Sequence, residues 1–169
     1  MIRDLLTGGD RRSLGHSDQA VGLIATHPAR FGELLECLWD EDPGVRMRAA
    51  DAAEKASFAS PQLLQPHKSE LLGLMEEAVQ QELRWHLALM IPRLTLSAQE
   101  RKRAQDALLN YLDDRSSIVK TLAMQGLADL AIRDARLRPG IIEQIRSLTR
   151  TGTHAMKARG RKLLAALER

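Results

Sequence analysis

Apolar side chains recur along this chain at helical rather than strand spacing. Four segments place them at i, i+4, i+7, i+8 and i+11, which winds one continuous stripe along an α-helix. The first is Val45, Ala49, Ala52, Ala53, Ala56 and the second Leu83, Leu87, Met90, Ile91, Leu94. The third is Val119, Ala123, Gly126, Leu127, Leu130 and the fourth Met156, Gly160, Leu163, Leu164, Leu167. Their starts lie 38, 36 and 37 residues apart. A weaker copy, Ser13, Ser17, Ala20, Val21, Ile24, stands 32 residues before the first, with polar residues in its opening turn. Terminal repeats often depart from the pattern in this way, because one side faces water.

A second amphipathic helix is predicted before each of the four. Its apolar positions are Phe31, Leu34, Leu35, Leu38; then Leu71, Leu72, Met75, Ala78, Val79; then Ala104, Ala107, Leu108, Tyr111, Leu112; then Ile141, Ile142, Ile145, Leu148. Each period is therefore a helix pair. Pro28, Pro66 and Pro139 suit the openings of first helices. Ser97 and Glu100 spell a capping box, in which each side chain satisfies the other residue's backbone N–H. Asp42-Pro43-Gly44 and Asp114-Arg115-Ser116-Ser117 break the period between partners and offer oxygens to free N–H groups of the second helix. Pro92 falls inside a second helix, where it removes a donor and crowds the carbonyl of Ala88, so a kink is expected.

A period near 37 with two helices lies between the tetratricopeptide and HEAT or armadillo values. The residues decide between them. DEDPGVRMRAADAAEKAS, residues 40 to 57, resembles the inter-helix turn and second helix of a HEAT repeat, with Asp, Pro, Val-Arg and then small Ala positions where helices approach closely. LRWHLALMIPRL from Leu83, VKTLAMQGLADLA from Val119 and MKARGRKLLAAL from Met156 are weaker echoes, and no tetratricopeptide pattern of early Trp and later Gly-x-x-Tyr is present. The resemblance implies an all-α chain built as a right-handed α-α superhelix, a HEAT-like solenoid of about five antiparallel helix pairs. Residues 1–169 would form one domain, with an atypical cap pair over 1–27 and repeats over about 28–60, 61–96, 97–133 and 134–169.

Composition agrees with helix: 44% of residues are hydrophobic but only 3% aromatic, with Ala and Leu dominant. Cys37 is the sole cysteine, so no intramolecular disulfide can form, and a reducing compartment is the simplest expectation. The N-terminus carries no long apolar stretch and nowhere do about 18 apolar residues run together, so a soluble, cytoplasmic protein without a membrane partner is expected. From Arg133 onward ten Lys or Arg oppose three acids, a net of +7 against −4 for the remainder. Such asymmetry bears on partners rather than on fold.

The residue after each stripe start is basic: Arg46, Arg84, Lys120 and Lys157. In HEAT repeats the matching arginine pairs with groups near the turns, so a structural row is the expected role and a ligand-binding row the alternative. By the same resemblance, the face opposite the stripe is the open, concave one. It presents Met47, Ala50, Asp51, Glu54; Trp85, Ala88, Leu89, Pro92; Thr121, Met124, Gln125, Ala128; and Ala158, Arg161, Lys162, Ala165. Met47, Trp85, Leu89 and Met124 would form an apolar centre, the chemistry that protein-binding surfaces favour. Arg161 and Lys162 head a basic cluster of the kind that contacts phosphates.

No catalytic, cofactor or metal residues are predicted. The five histidines lack zinc-ligand spacing, Gly8-Gly9 follows no strand, and no nucleophile elbow occurs. A HEAT-like glycosylase would need a carboxylate beside an aromatic cleft, and Asp51 near Trp85 is the acidic residue that could serve, but no motif accompanies it. The expected function is a non-enzymatic scaffold that binds a protein or peptide on its concave face. The alternative is a nucleic-acid binder using the basic residues of the second helices and of the last repeat.

Overall fold

The helical spacing is realised along most of the chain. In the computed structural model, which describes residues 1–10 and 12–169, 80% of the chain is helical and no strand occurs among the described residues. The chain is all-α. Its helices are α1 (Ile2–Leu6), α2 (Ser17–Thr26), α3 (Phe31–Glu36), α4 (Pro43–Ala59), α5 (Lys68–Glu77), α6 (Gln81–Met90), α7 (Ala98–Tyr111), α8 (Ser117–Arg133), α9 (Arg138–Thr151) and α10 (His154–Leu167). They fall into two compact units, Met1–Leu94 and Thr95–Arg169.

In the first unit α4 is the central helix. It packs against α1, α2, α3 and α6, while α5 packs on α6. The residues of α4 explain its place: Ala49, Ala50, Ala52, Ala53 and Ala56 are all buried, and their methyl groups let neighbouring backbones come near from more than one side. In the second unit α8 occupies the same position, in contact with α7, α9 and α10. The stripe starts Val45, Leu83, Val119 and Met156 are buried at equivalent places. Burial of a Leu or Ile at such a position contributes roughly 1.5–3 kcal/mol.

Helix ends follow the capping residues. Ser97 Oγ accepts from the Glu100 N–H at 3.2 Å while Glu100 Oε2 accepts from the Ser97 N–H at 2.8 Å, the reciprocal capping box of α7. Asp42 Oδ1 accepts from the Gly44 N–H at 2.7 Å, and Ser116 Oγ from the Val119 N–H at 3.3 Å. Thr153 does the same for Met156. Two local expectations are corrected. Pro92 does not kink a continuous helix: α6 ends at Met90, and Pro92 lies in a 3-10 turn, Ile91–Arg93, where its missing N–H breaks no α-helical bond. Val79 is not on the apolar face of α5. That helix stops at Glu77, Ala78 turns extended (φ −60°, ψ 131°), and Val79 is left 83% exposed.

Two close approaches shape the units. Arg48 of α4 is 2% exposed, and its guanidinium donates to three backbone carbonyls, Leu6 O at 2.9 Å, Asp10 O at 2.8 Å and Ser13 O at 2.9 Å. A permanent cation thus closes the loop between α1 and α2, using the fork geometry that Lys lacks. In the second unit Gly160 lets α10 come against α9 so tightly that a Cβ at this position would lie 1.9 Å from Thr149 Oγ1.

Candidate binding surfaces

Each central helix has neighbours on both flanks as well as its pair partner, so the strip it shows to solvent is narrower than half a cylinder. That geometry corrects the expected open face. Ala50, Ala88, Pro92 and Ala128 are buried, and Asp51 is only 7% exposed. Met124, expected at the apolar centre of the surface, is 0% exposed. Its terminal methyl takes the room left over Gly160, 3.3 Å from where a Cβ would stand. Met47 on α4 and Trp85 and Leu89 on α6 are half-buried. Trp85 and Leu89, four residues apart, share one side of α6, and α6 packs directly on α4.

Several polar groups on the same helices of the first unit are mutually satisfied. Asp51 accepts from Ser17 Oγ at 2.9 Å and pairs with Lys55 at 2.9 Å, and Lys55 reaches Asp18 at 3.0 Å. The Asp51 carboxylate is therefore a structural junction of α2 and α4 rather than a free acid beside an aromatic cleft. Arg93 is bonded to the Glu54 carboxylate, to Glu54 O at 2.8 Å and to Ser57 Oγ at 2.8 Å. Its guanidinium also lies 5.5 Å from the centre of the exposed Phe58 ring.

His86 is the exception. Trp85 Nε1 donates to its Nε2 at 3.2 Å, with the rings edge-on at 5.8 Å, while its Nδ1 is buried and unpartnered among the described residues. Burial lowers its pKa to about 4, with Lys55 and Arg93 acting in the same sense and Asp51 opposing. His86 is thus a neutral ring at pH 7.

The basic row divides. Arg46 Nε donates to Gln80 Oε1 at 2.8 Å and its Nη1 to Asp40 O at 2.7 Å, while Gln80 Nε2 donates to Pro43 O at 3.0 Å. Arg84 Nε donates to Ala78 O at 2.7 Å. These two arginines tie inter-helix turns and are structural. Lys120 and Lys157, half-buried, have no such bond among the described residues.

On α10, Arg161 and Lys162 are exposed. Lys162 lines an open groove between α8 and α10 together with Thr121, Gln125, Ala158 and Arg159. Arg159 is held by Gln125 Oε1 at 2.7 Å, and Gln125 by Asp129 at 2.9 Å. No carboxylate of the described residues pairs with Lys157, Arg161 or Lys162. The charge asymmetry follows the structural division: fourteen acids against ten bases in Met1–Leu94, eight against fifteen in Thr95–Arg169. By contrast Asp134 is saturated, held well below the usual carboxylate range by bonds from Arg136 and Arg101.

Cys37 is buried, its Sγ donating to Glu33 O at 3.6 Å, and burial raises its pKa, so it is poorly nucleophilic. Among the described residues no three His, Cys, Asp or Glu side chains gather as metal ligands, and no helix is long and apolar enough to cross a membrane. Comparisons of the chain with known protein families, curated proteins and solved structures give no match.

Proposed function

We propose that this chain is a non-enzymatic interaction module of the HEAT-like type, a right-handed superhelix of about five helix pairs that docks a protein or peptide partner in the cytoplasm. The recurrence near 37 residues, the equal burial of Val45, Leu83, Val119 and Met156, and the Arg46–Gln80 bond between successive turns support the repeat reading. The observation that carries the docking reading is the half-buried Trp85, with Leu89 and Met47 alongside, among charges of Asp51, Lys55, Glu54 and Arg93 that are already paired. A large aromatic ring left partly open beside saturated charges is the composition of an interface anchor.

Trp85→Ala tests this. Because the ring is half-buried, the change is expected to lower folding stability by about 1–2 kcal/mol, short of the roughly 3–5 kcal/mol of a core Trp. Binding of the partner, recovered by comparing native-lysate pull-downs of wild type and variant, should weaken by about 2 kcal/mol, close to thirtyfold. A stability loss of core size with unchanged binding would remove the reading.

A second reading, nucleic-acid binding, is favoured by Lys157, Arg161 and Lys162 on α10, which have no ion-pair partner among the described residues. Arg46, Arg84 and Arg159 are occupied by carbonyl or amide partners, so fewer cations remain for phosphates than the sequence offers. If this reading holds, affinity for duplex or single strands falls steeply with salt, and Arg161→Ala with Lys162→Ala flattens the slope by nearly two counterions. Absence of binding at low salt would end it.

A further inference from the structure

Away from the Trp85 strip, the first unit has an edge built from two inter-helix turns. The turn after α3 runs through the 3-10 segment Cys37–Trp39 to Asp42, and the turn after α5 covers residues 78–80. The Arg46–Gln80 bond and the Gln80 bond to Pro43 O hold the two turns side by side. Each turn sends an apolar side chain outward: Trp39 is 47% exposed and Val79 is 83% exposed. Neither serves the core in full: Trp39, on the 3-10 segment that packs against α4, keeps nearly half of its surface open.

The charges nearest in sequence to these two residues are of one sign. Glu36 and Glu41 flank Trp39, and Glu77 and Glu82 flank Val79. Glu36, Glu41 and Glu77 are exposed and Glu82 is half-buried. None of the four carboxylates forms an ion pair among the described residues. Elsewhere in the same unit acids are matched, as Asp40 is by Arg3 and Asp51 by Lys55. Four unmatched carboxylates thus flank the exposed apolar pair in sequence, and the unit as a whole is acidic. Apolar contact supplies the attraction at such a patch, while its acidic rim, whose own cations Arg3, Arg46 and Arg84 are bonded to Asp40, to Gln80 and to the carbonyls of Asp40 and Ala78, selects the partner's charge and speeds its approach.

We propose that this edge docks a cationic, amphipathic segment of another protein, with an apolar side chain against Trp39 and Val79 and Lys or Arg side chains facing Glu36, Glu41, Glu77 and Glu82. The proposed contacts do not include Trp85, although Glu82 lies one turn from it on α6, and the two readings are tested by different variants.

The test uses the full chain and a fluorescently labelled synthetic peptide of Lys and Leu, with Leu at helical i, i+3, i+4, i+7 spacing. Controls are the same peptide with Gly for Leu, which keeps charge alone, and with Glu for Lys, which keeps the apolar face alone. The expected result is saturable binding of the Lys–Leu peptide only, weakened about tenfold or more by Val79→Ser and by Trp39→Ser, and unaffected by Trp85→Ala. Glu36→Gln with Glu77→Gln should weaken it and reduce its salt dependence. Val79 is almost wholly exposed, so its variant folds as wild type even if Trp39→Ser does not. Equal binding of the Gly-containing peptide, or binding indifferent to Val79→Ser, overturns the proposal. Self-association of the chain that is abolished by Val79→Ser and by salt also overturns it, because the occupant would then be the basic unit of a second copy.

Discussion

Gly160→Ala puts the tightest helix contact to the test. A Cβ there would stand 1.9 Å from Thr149 Oγ1 and 3.0 Å from Thr149 Cβ, against roughly 3.5–4.0 Å for a comfortable carbon contact. Rotating Thr149 moves Oγ1 away but breaks its 2.7 Å bond to Ile145 O, at a cost of about 1 kcal/mol, and brings the methyl round in its place. The 3.0 Å approach of Thr149 Cβ remains, so α9 and α10 must also part slightly, and overpacking of this kind costs about 1–3 kcal/mol. Against this, Ala gains nearly 1 kcal/mol of helix propensity over Gly. The expected balance is a loss of about 1–2 kcal/mol, measured as a lowered urea midpoint with unchanged slope. Thr149→Ala in the same chain removes the oxygen and the methyl but keeps the Cβ, so the double variant should recover part of the loss and show a coupling of about 1 kcal/mol. A neutral or stabilising Gly160→Ala, or a double variant no better than the single, would refute the close approach.

Acid lability should trace to His86. Its folded pKa, about 4, lies below the unfolded 6.5, so its contribution is complete above pH 6.5 and is lost as pH falls toward 4, reaching roughly 2–3 kcal/mol. His86→Leu should therefore flatten stability against pH in that window, and an unchanged slope would show that the ring titrates normally. Arg48→Met should leave the remaining helices folded while hydrogen exchange and protease cleavage rise in the loop between α1 and α2, because three carbonyls lose their donor. Uniform loss of protection across the chain would instead make Arg48 a global keystone.

The register was readable because it depends on spacing alone. Apolar residues at Val45, Leu83, Val119 and Met156 mark the same buried point of each second helix whatever surrounds them. Caps were readable for the same reason, since Ser97 with Glu100 and Asp42 before Pro43-Gly44 act within one turn. The exposed face was less so. A helical wheel divides a helix into two halves, whereas α4 and α8 are enclosed on several sides, and that follows from packing between helices. Met124 disappears into the space over Gly160, which no periodicity on α8 could signal. Arg48 had a signal, lying roughly 40° beyond the edge of the apolar arc at about 100° per residue, but its acceptors are main-chain oxygens, which sequence does not mark. Trp85 and Leu89, expected on the open face, are half-buried, while Arg161 and Lys162 are exposed.

The way Arg48 holds the N-terminal loop sets how that loop can diverge. Its three acceptors belong to the backbone, so the side chains of Leu6, Asp10 and Ser13 are not what the guanidinium reads. Residue identity matters at the glycines instead. Gly8 and Gly9, at φ 78° and 80°, and Gly15, at φ 54°, adopt left-handed backbone that other residues resist, and Gly15 also lies against the Arg48 side chain. Between these fixed points the loop is a permissive stretch of surface. New recognition residues introduced at the exposed Arg12 or Leu14 would leave the latch beneath undisturbed, so that binding preference could change there faster than the helices that support it.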